Sequence, residues 1–128
     1  MPTITPTWIK TPIDGGGLQI WKWASVSAGD TCLPVIVGRL TDKTVYFLSS
    51  GAFGGSFSLV GCPQAEESIA EASRRYVTLS DPNNNALSGI SVETAESVQQ
   101  HAYFIKPVPG AGVSAVDVYL MGNNQAGG

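Results

Sequence analysis

The sequence predicts an all-β fold: an antiparallel β-sandwich of jelly-roll-like type, with an extended N-terminal arm and one short helical insertion. Three observations carry that prediction. Seven or eight short segments alternate apolar and polar residues with period 2, turn residues separate them at 10–15-residue spacing, and only one stretch of the 128 residues favours a helix. A chain of this length makes one domain with a core large enough to need no metal or disulfide.

Residues 1–17 read as the arm. Pro2, Pro6 and Pro12 remove backbone donors, and Gly15, Gly16 and Gly17 supply a flexible joint. Trp8 and Ile9 give this arm two apolar anchors, so it is expected to leave its own domain and lie on an adjacent subunit, with Trp8 in an apolar pocket. The sandwich is expected over 18–122 and a flexible, Asn- and Gly-rich tail over 123–128.

Within the sandwich, Leu18, Ile20, Trp21 and Trp23 begin the first strand, and 25–30 turn. A second strand over 31–37 is demoted to an edge or a bulge by Pro34. A turn over 38–42 precedes a mostly buried strand over 43–49, and the glycine-rich 50–55 leads into a strand over 56–60. There Phe57 and Leu59 alternate with Ser56 and Ser58, which marks a half-buried strand. Residues 64–75, preceded by Pro63 and ending in Arg74 and Arg75, suit a helix of two to three turns or a loose loop. Strands follow over 76–79 and 90–93, with a turn at 81–85 whose Asp and Asn side chains bond their own backbone. A single helical turn is expected over 95–100. The last strands span 103–108, ended by Pro107 and Pro109, and 113–121. Val45, Phe47, Phe57, Leu59, Ile105 and Val118 are expected to meet in one core between two sheets.

Charge narrows the function. Only 13% of residues are charged, about half the usual share of roughly 25%. The net charge is −3 with seven Lys and Arg, a poor match to nucleic acid, whose binding rests on neutralised phosphates. A surface so short of charge suits coverage by partner subunits. No apolar run reaches membrane-spanning length, and the N-terminus lacks the basic start and apolar stretch of a secretory signal, so a cytoplasmic site of synthesis is expected. In that reducing compartment Cys32 and Cys62 read as small buried hydrophobes rather than a bridge.

Catalytic chemistry finds little to stand on. His101 is the one histidine, and neither a serine nor a cysteine lies in a nucleophile motif. Two cysteines and one histidine cannot fill a structural zinc site, so no metal and no cofactor are expected. Asp14, Asp30, Asp42, Asp81, Glu93 and Glu96 sit where turns and strand ends use carboxylates, and Asp117 is placed on an outward face. The 51–55 glycines lack the Gly-Lys-Ser/Thr ending of a phosphate loop, and 81–85 lacks the Gly and Glu of a calcium loop. Trp8, Ile9, Trp21, Trp23 and Phe53 are the candidate partner-interface residues, by their size and aromatic character.

Several patches in order resemble a known family. These are Asp30-Thr31-Cys32-Leu33-Pro34-Val35, Asp42-Lys43-Thr44-Val45-Tyr46, Ser50-Gly51-Ala52-Phe53-Gly54-Gly55 and Leu59-Val60-Gly61-Cys62. Then come Tyr76-Val77-Thr78-Leu79-Ser80-Asp81-Pro82-Asn83-Asn84-Asn85-Ala86-Leu87 and Tyr103-Phe104-Ile105-Lys106-Pro107. Their sequence along 18–121 resembles the small β-sandwich head decoration (cement) proteins of tailed bacteriophages. The Cys62-Pro63 step, the 64–75 insertion and the arm depart from that pattern. The resemblance implies a non-enzymatic virion protein on the capsid exterior, assembled in the bacterial host cytoplasm. Its implied partners are the major capsid protein and other copies of itself, as a trimer or dimer. The alternative is a tail-, spike- or fibre-associated module that binds host glycans.

Overall fold

The computed structural model describes residues 2–9, 17–38 and 40–124. Along the chain come β1 (Thr3–Ile4), β2 (Thr7–Ile9), β3 (Leu18–Val26), β4 (Thr31–Cys32), β5 (Val35–Ile36) and β6 (Leu40–Leu48). They are followed by β7 (Phe57–Cys62), β8 (Val77–Thr78), β9 (Thr94–Ser97), β10 (Phe104–Pro109) and β11 (Val116–Asn124). Two antiparallel sheets form the sandwich, one ordered β2-β3-β11-β6-β9 and the other β5-β10-β7-β8. β1 and β4 make a short parallel pair beside them.

Alternation built these sheets. Trp23, Val45, Phe47, Val118 and Leu120 line the inner face of the five-stranded sheet, all without solvent exposure. Val35, Leu59 and Ile105 face them from the other sheet, with Phe57 at its end. All six residues expected in the core are there, each at 0% exposure. Phe57 packs tilted on Phe47, ring centroids 5.2 Å apart, and edge-on to Phe53 at 5.9 Å. Below Phe53 two loops touch backbone to backbone at Gly54 and Gly112. Both adopt positive φ (83° and 87°), and a Cβ on either would lie 2.5 Å from the other's carbonyl oxygen. Only glycine fits both demands.

Several expectations change. Of the two readings of 64–75 the loop is the one formed, with a single 3₁₀ turn at Glu71–Ser73. Its one large apolar residue, Ile69, gives no stripe to bury, and its polar groups bond elsewhere: the Gln64 carboxamide oxygen accepts from the Arg75 N–H (2.6 Å). Residues 94–97 are a strand, β9, in register with β6, where a helical turn was expected. Of the expected strand over 90–93, Ile90 forms only an isolated bridge to Phe57. β10 runs through Pro107 and Pro109 because β5 pairs only with Phe104 and Ile105, so the missing proline donors fall where no strand is paired to β10 on that side. β11 continues to Asn124, two residues into the expected tail. The remainder of that tail, 125–128, lies outside the described residues, as do Asp14, Gly15 and Gly16.

The arm is the largest correction. Its described residues, 2–9, pair with their own domain. The Thr31 N–H donates to the Pro2 carbonyl (3.0 Å) and the Leu33 N–H to the Ile4 carbonyl (2.9 Å). β2 then adds to the five-stranded sheet, with Thr7, Trp8 and Ile9 opposite Lys22, Trp21 and Ile20. Extended proline-bearing chain suits an edge strand, and here the nearest unpaired edge belongs to its own fold.

Candidate interaction surface

The outer faces of the two sheets differ in what covers them. On the four-stranded sheet, residues 63–76 fold back over Phe104 and Lys106. The Arg74 guanidinium lies 4.1 Å from the Phe104 ring centre, and the Lys106 ammonium lies 4.1 Å from that of Tyr76. Glu71 joins them, accepting from Arg74 (3.0 Å), Lys106 (3.1 Å) and the Tyr76 hydroxyl (3.0 Å). Burial would raise the Glu71 pKa, but these three donors outweigh it and hold the carboxyl below its usual value. Burial and the Glu71 carboxylate together push the Tyr76 phenol well above its ordinary pKa. This cluster fastens the insertion to β10.

The five-stranded sheet turns aromatic and apolar side chains outward among polar ones, while the four-stranded sheet leaves Ile36 and Val108 exposed. Cross-strand register sets the rows of the five-stranded sheet. Thr7, Lys22, Tyr119, Tyr46 and Ala95 stand side by side in one, and Ile9, Ile20, Met121, Thr44 and Ser97 in the next. Leu18 and Leu48 extend it at opposite ends. Leu18 is 43% exposed, Leu48 39% and Tyr46 36%, while Ile9, Ile20, Tyr119 and Met121 are half-buried. The Lys22 ammonium lies 3.8 Å from Asp117 and 5.3 Å from the Tyr119 ring centre. The Tyr119 side chain first, and the Asp117 charge second, raise the Lys22 pKa. Asp117 also accepts from the Ser25 N–H (2.8 Å), so the face's one ion pair is internally satisfied. What remains for a partner is a surface of Leu18, Tyr46 and Leu48 with the half-buried Ile9, Ile20, Tyr119 and Met121, interspersed with Thr7, Thr44 and Ser97.

The candidate residues divide. Ile9 lies on this face, opposite Ile20. Trp8 lies on the other side of the same edge strand, paired with Trp21, and is 52% exposed. Trp21 is partly buried against the core. Trp23 and Phe53 are fully buried, so their expected place at an interface is corrected: both are core residues. Tyr46, Leu48, Tyr119 and Met121 were not among the expected interface residues. Their signal was present, because each alternates with the buried Val45, Phe47, Val118 and Leu120. Alternation names two faces without saying which one a partner meets.

Several carboxylates make structural contacts. Asp30 accepts from the Ser27 N–H (2.8 Å), Glu93 from Ser49 (2.9 Å), and Asp81 from Asn83 and Asn85 (2.9 Å each). Asp30 and Asp81 play the turn-fixing role expected of such carboxylates, whereas Glu93 ties down the end of β6 from 44 positions away. Both cysteines are free and buried. Burial first, and the Asp30 charge second, push the Cys32 thiol up to about 12. Among the described residues, no group of three or more His, Cys, Asp and Glu is placed to hold a metal ion, and no helix is long and apolar enough to cross a membrane. No known protein family, curated protein or solved structure matches this chain.

Proposed function

We propose that this protein is a non-enzymatic structural component of a tailed-phage particle, bound to the outer capsid surface and bridging neighbouring capsid subunits. The observation that carries the reading is the outer face of the five-stranded sheet. Leu18, Tyr46 and Leu48 are exposed there beside Ile9, Ile20, Tyr119 and Met121, on a rigid sheet in a chain of only 13% charged residues. Exposed apolar surface of this kind marks contact with another protein. The order of short motifs along 18–121 supports the phage assignment. Each copy makes modest contacts with the major capsid protein and with neighbouring copies, and their linkage raises the effective concentration of each.

The deciding measurement is densitometry of particles purified from cells carrying the gene. A capsid role requires copies in number comparable with the major capsid protein. A handful per particle assigns the protein to the tail instead, and absence from particles sinks the reading. Replacing Tyr46 and Leu48 together by Glu should then strip the protein from particles while the purified variant still melts cooperatively.

A further inference from the structure

Lys43 is the one charged residue that is buried among the described residues, at 5% exposure. It shares the inward face of β6 with Val45 and Phe47. Just before it, β6 bulges. Asp42 takes a positive φ of 52°, and Asp42 and Lys43 together oppose the single residue Gly122 on β11. The bulge returns Leu40 to the interior and brings its carbonyl 3.5 Å from the Lys43 ammonium. That long contact is the ammonium's only hydrogen bond among the described residues. An ammonium carries three donors, and a charge on a buried side chain needs partners. Burial lowers the Lys43 pKa, while the Asp42 carboxylate opposes that shift.

A cleft of about 460 Å³ adjoins this lysine, lined by Asp42, Lys43, Thr44, Ser97, Gln99 and His101 among others. It opens where β9 and the following residues cross the end of β6, and the Val98 N–H donates to the Lys43 carbonyl (3.0 Å). That volume lies within the range of small-ligand sites, roughly 300–1,000 Å³. We propose that this cleft binds an acidic sugar, its carboxylate on the Lys43 ammonium and its hydroxyls on Ser97, Gln99 and the Asp42 carboxylate. One buried cation matches one carboxylate. Asp42 accepts hydroxyl hydrogens and repels a doubly charged phosphate, which selects a singly charged, hydroxyl-rich ligand over inorganic phosphate. The cleft reaches the rim of the outer face at Thr44 and Ser97, so sugar binding is tested on the isolated chain, where no capsid contact competes, and its outcome is independent of particle occupancy.

The test is an amide NMR titration of the full chain with glucuronate, glucose and inorganic phosphate. Glucuronate should shift the Lys43, Thr44, Ser97 and Gln99 amides to saturation, with glucose and phosphate at least about tenfold weaker, the scale of a lost charged hydrogen bond. Lys43→Met should abolish saturation. Should that variant lose its folded spectrum, Ser97→Ala and Gln99→Ala, both at exposed positions, decide instead, each weakening glucuronate severalfold. Equal response to phosphate and glucuronate, no saturating response, or unchanged affinity in a folded Lys43→Met protein or in both rim variants overturns the proposal.

Discussion

The indole N–H of Trp23 donates to the Leu33 carbonyl across 2.7 Å, joining the middle of β3 to the break between β4 and β5. Pro34, which follows Leu33, has no N–H to give a ladder, so the chain steps out of one short strand before entering the next. The carbonyl that this step leaves without a strand partner finds one in a fully buried tryptophan. The largest core side chain thereby also closes a hydrogen-bond deficit made by a proline.

Replacing Trp23 by Phe removes both the donor and part of the volume. The stranded Leu33 carbonyl and the new cavity together should cost about 2–4 kcal/mol in reversible chemical denaturation. A cost near zero would mean that water reaches the carbonyl.

Phe57 sits between Phe47 and Phe53 with no exposed surface. Truncation to Ala should therefore destabilise by about 3–5 kcal/mol, as large-to-small core changes do. Denaturation midpoints at unchanged slope measure it, and a loss below about 0.5 kcal/mol contradicts the packing.

Removing residues 2–9 should lower the Tm of the isolated protein, by roughly 5–10 °C for a loss of about 2 kcal/mol. The reason is that Pro2 and Ile4 accept backbone bonds from Thr31 and Leu33, and β2 pairs with β3. Scanning calorimetry distinguishes this from an arm that serves only a partner, whose loss would leave the Tm unchanged.

Glu71 carries an acid-stability signature. Its folded pKa is depressed, so its contribution is fully present above the unfolded value, about 4.3, and is lost as pH falls through the folded one. Glu71→Gln should cost about 1 kcal/mol at neutral pH, because the cluster is partly open to solvent. The difference between variant and parent should shrink steadily below about pH 4.3, read from urea midpoints across pH.

Neither thiol should react with an aromatic disulfide reagent in the native protein at pH 8, since both are buried and Cys32 titrates only at about 12. Two equivalents should appear on unfolding in guanidinium. Fast labelling of the folded chain would show that Cys32 or Cys62 opens to solvent.

Local pattern was enough for the fold class and for the core. Alternation is a property of a single strand, and wherever one face must be buried it names the buried residues in advance: Val45, Phe47, Phe57, Leu59, Ile105 and Val118 all lie at 0% exposure. Turn chemistry was equally local, so Asp81 caps its own turn as its neighbours Asn83 and Asn85 suggested. Composition left the 64–75 stretch open between a short helix and a loose loop. Helix-favouring residues without an apolar stripe gain nothing by forming a helix, and the Glu71–Lys106 contact that decides their path spans 35 positions.

Partnership between distant segments is where residue order ran out. Whether the proline-bearing arm pairs with its own domain or another depends on which sheet edge lies within reach, and that is set by where β3 and β4 end up. The same holds for the two outward faces. Only the fold shows that the 63–76 segment covers part of one, through Arg74 and Tyr76, while Tyr46, Leu48, Tyr119 and Met121 remain at least partly exposed on the other. Lys43 belongs here too. Its parity with Val45 and Phe47 pointed inward, but the bulge at Asp42 and the cleft beside it require β11 and β9 to be in place. Burial on one face is dictated by each strand's own chemistry, whereas what covers the opposite face is dictated by chain that arrives from elsewhere.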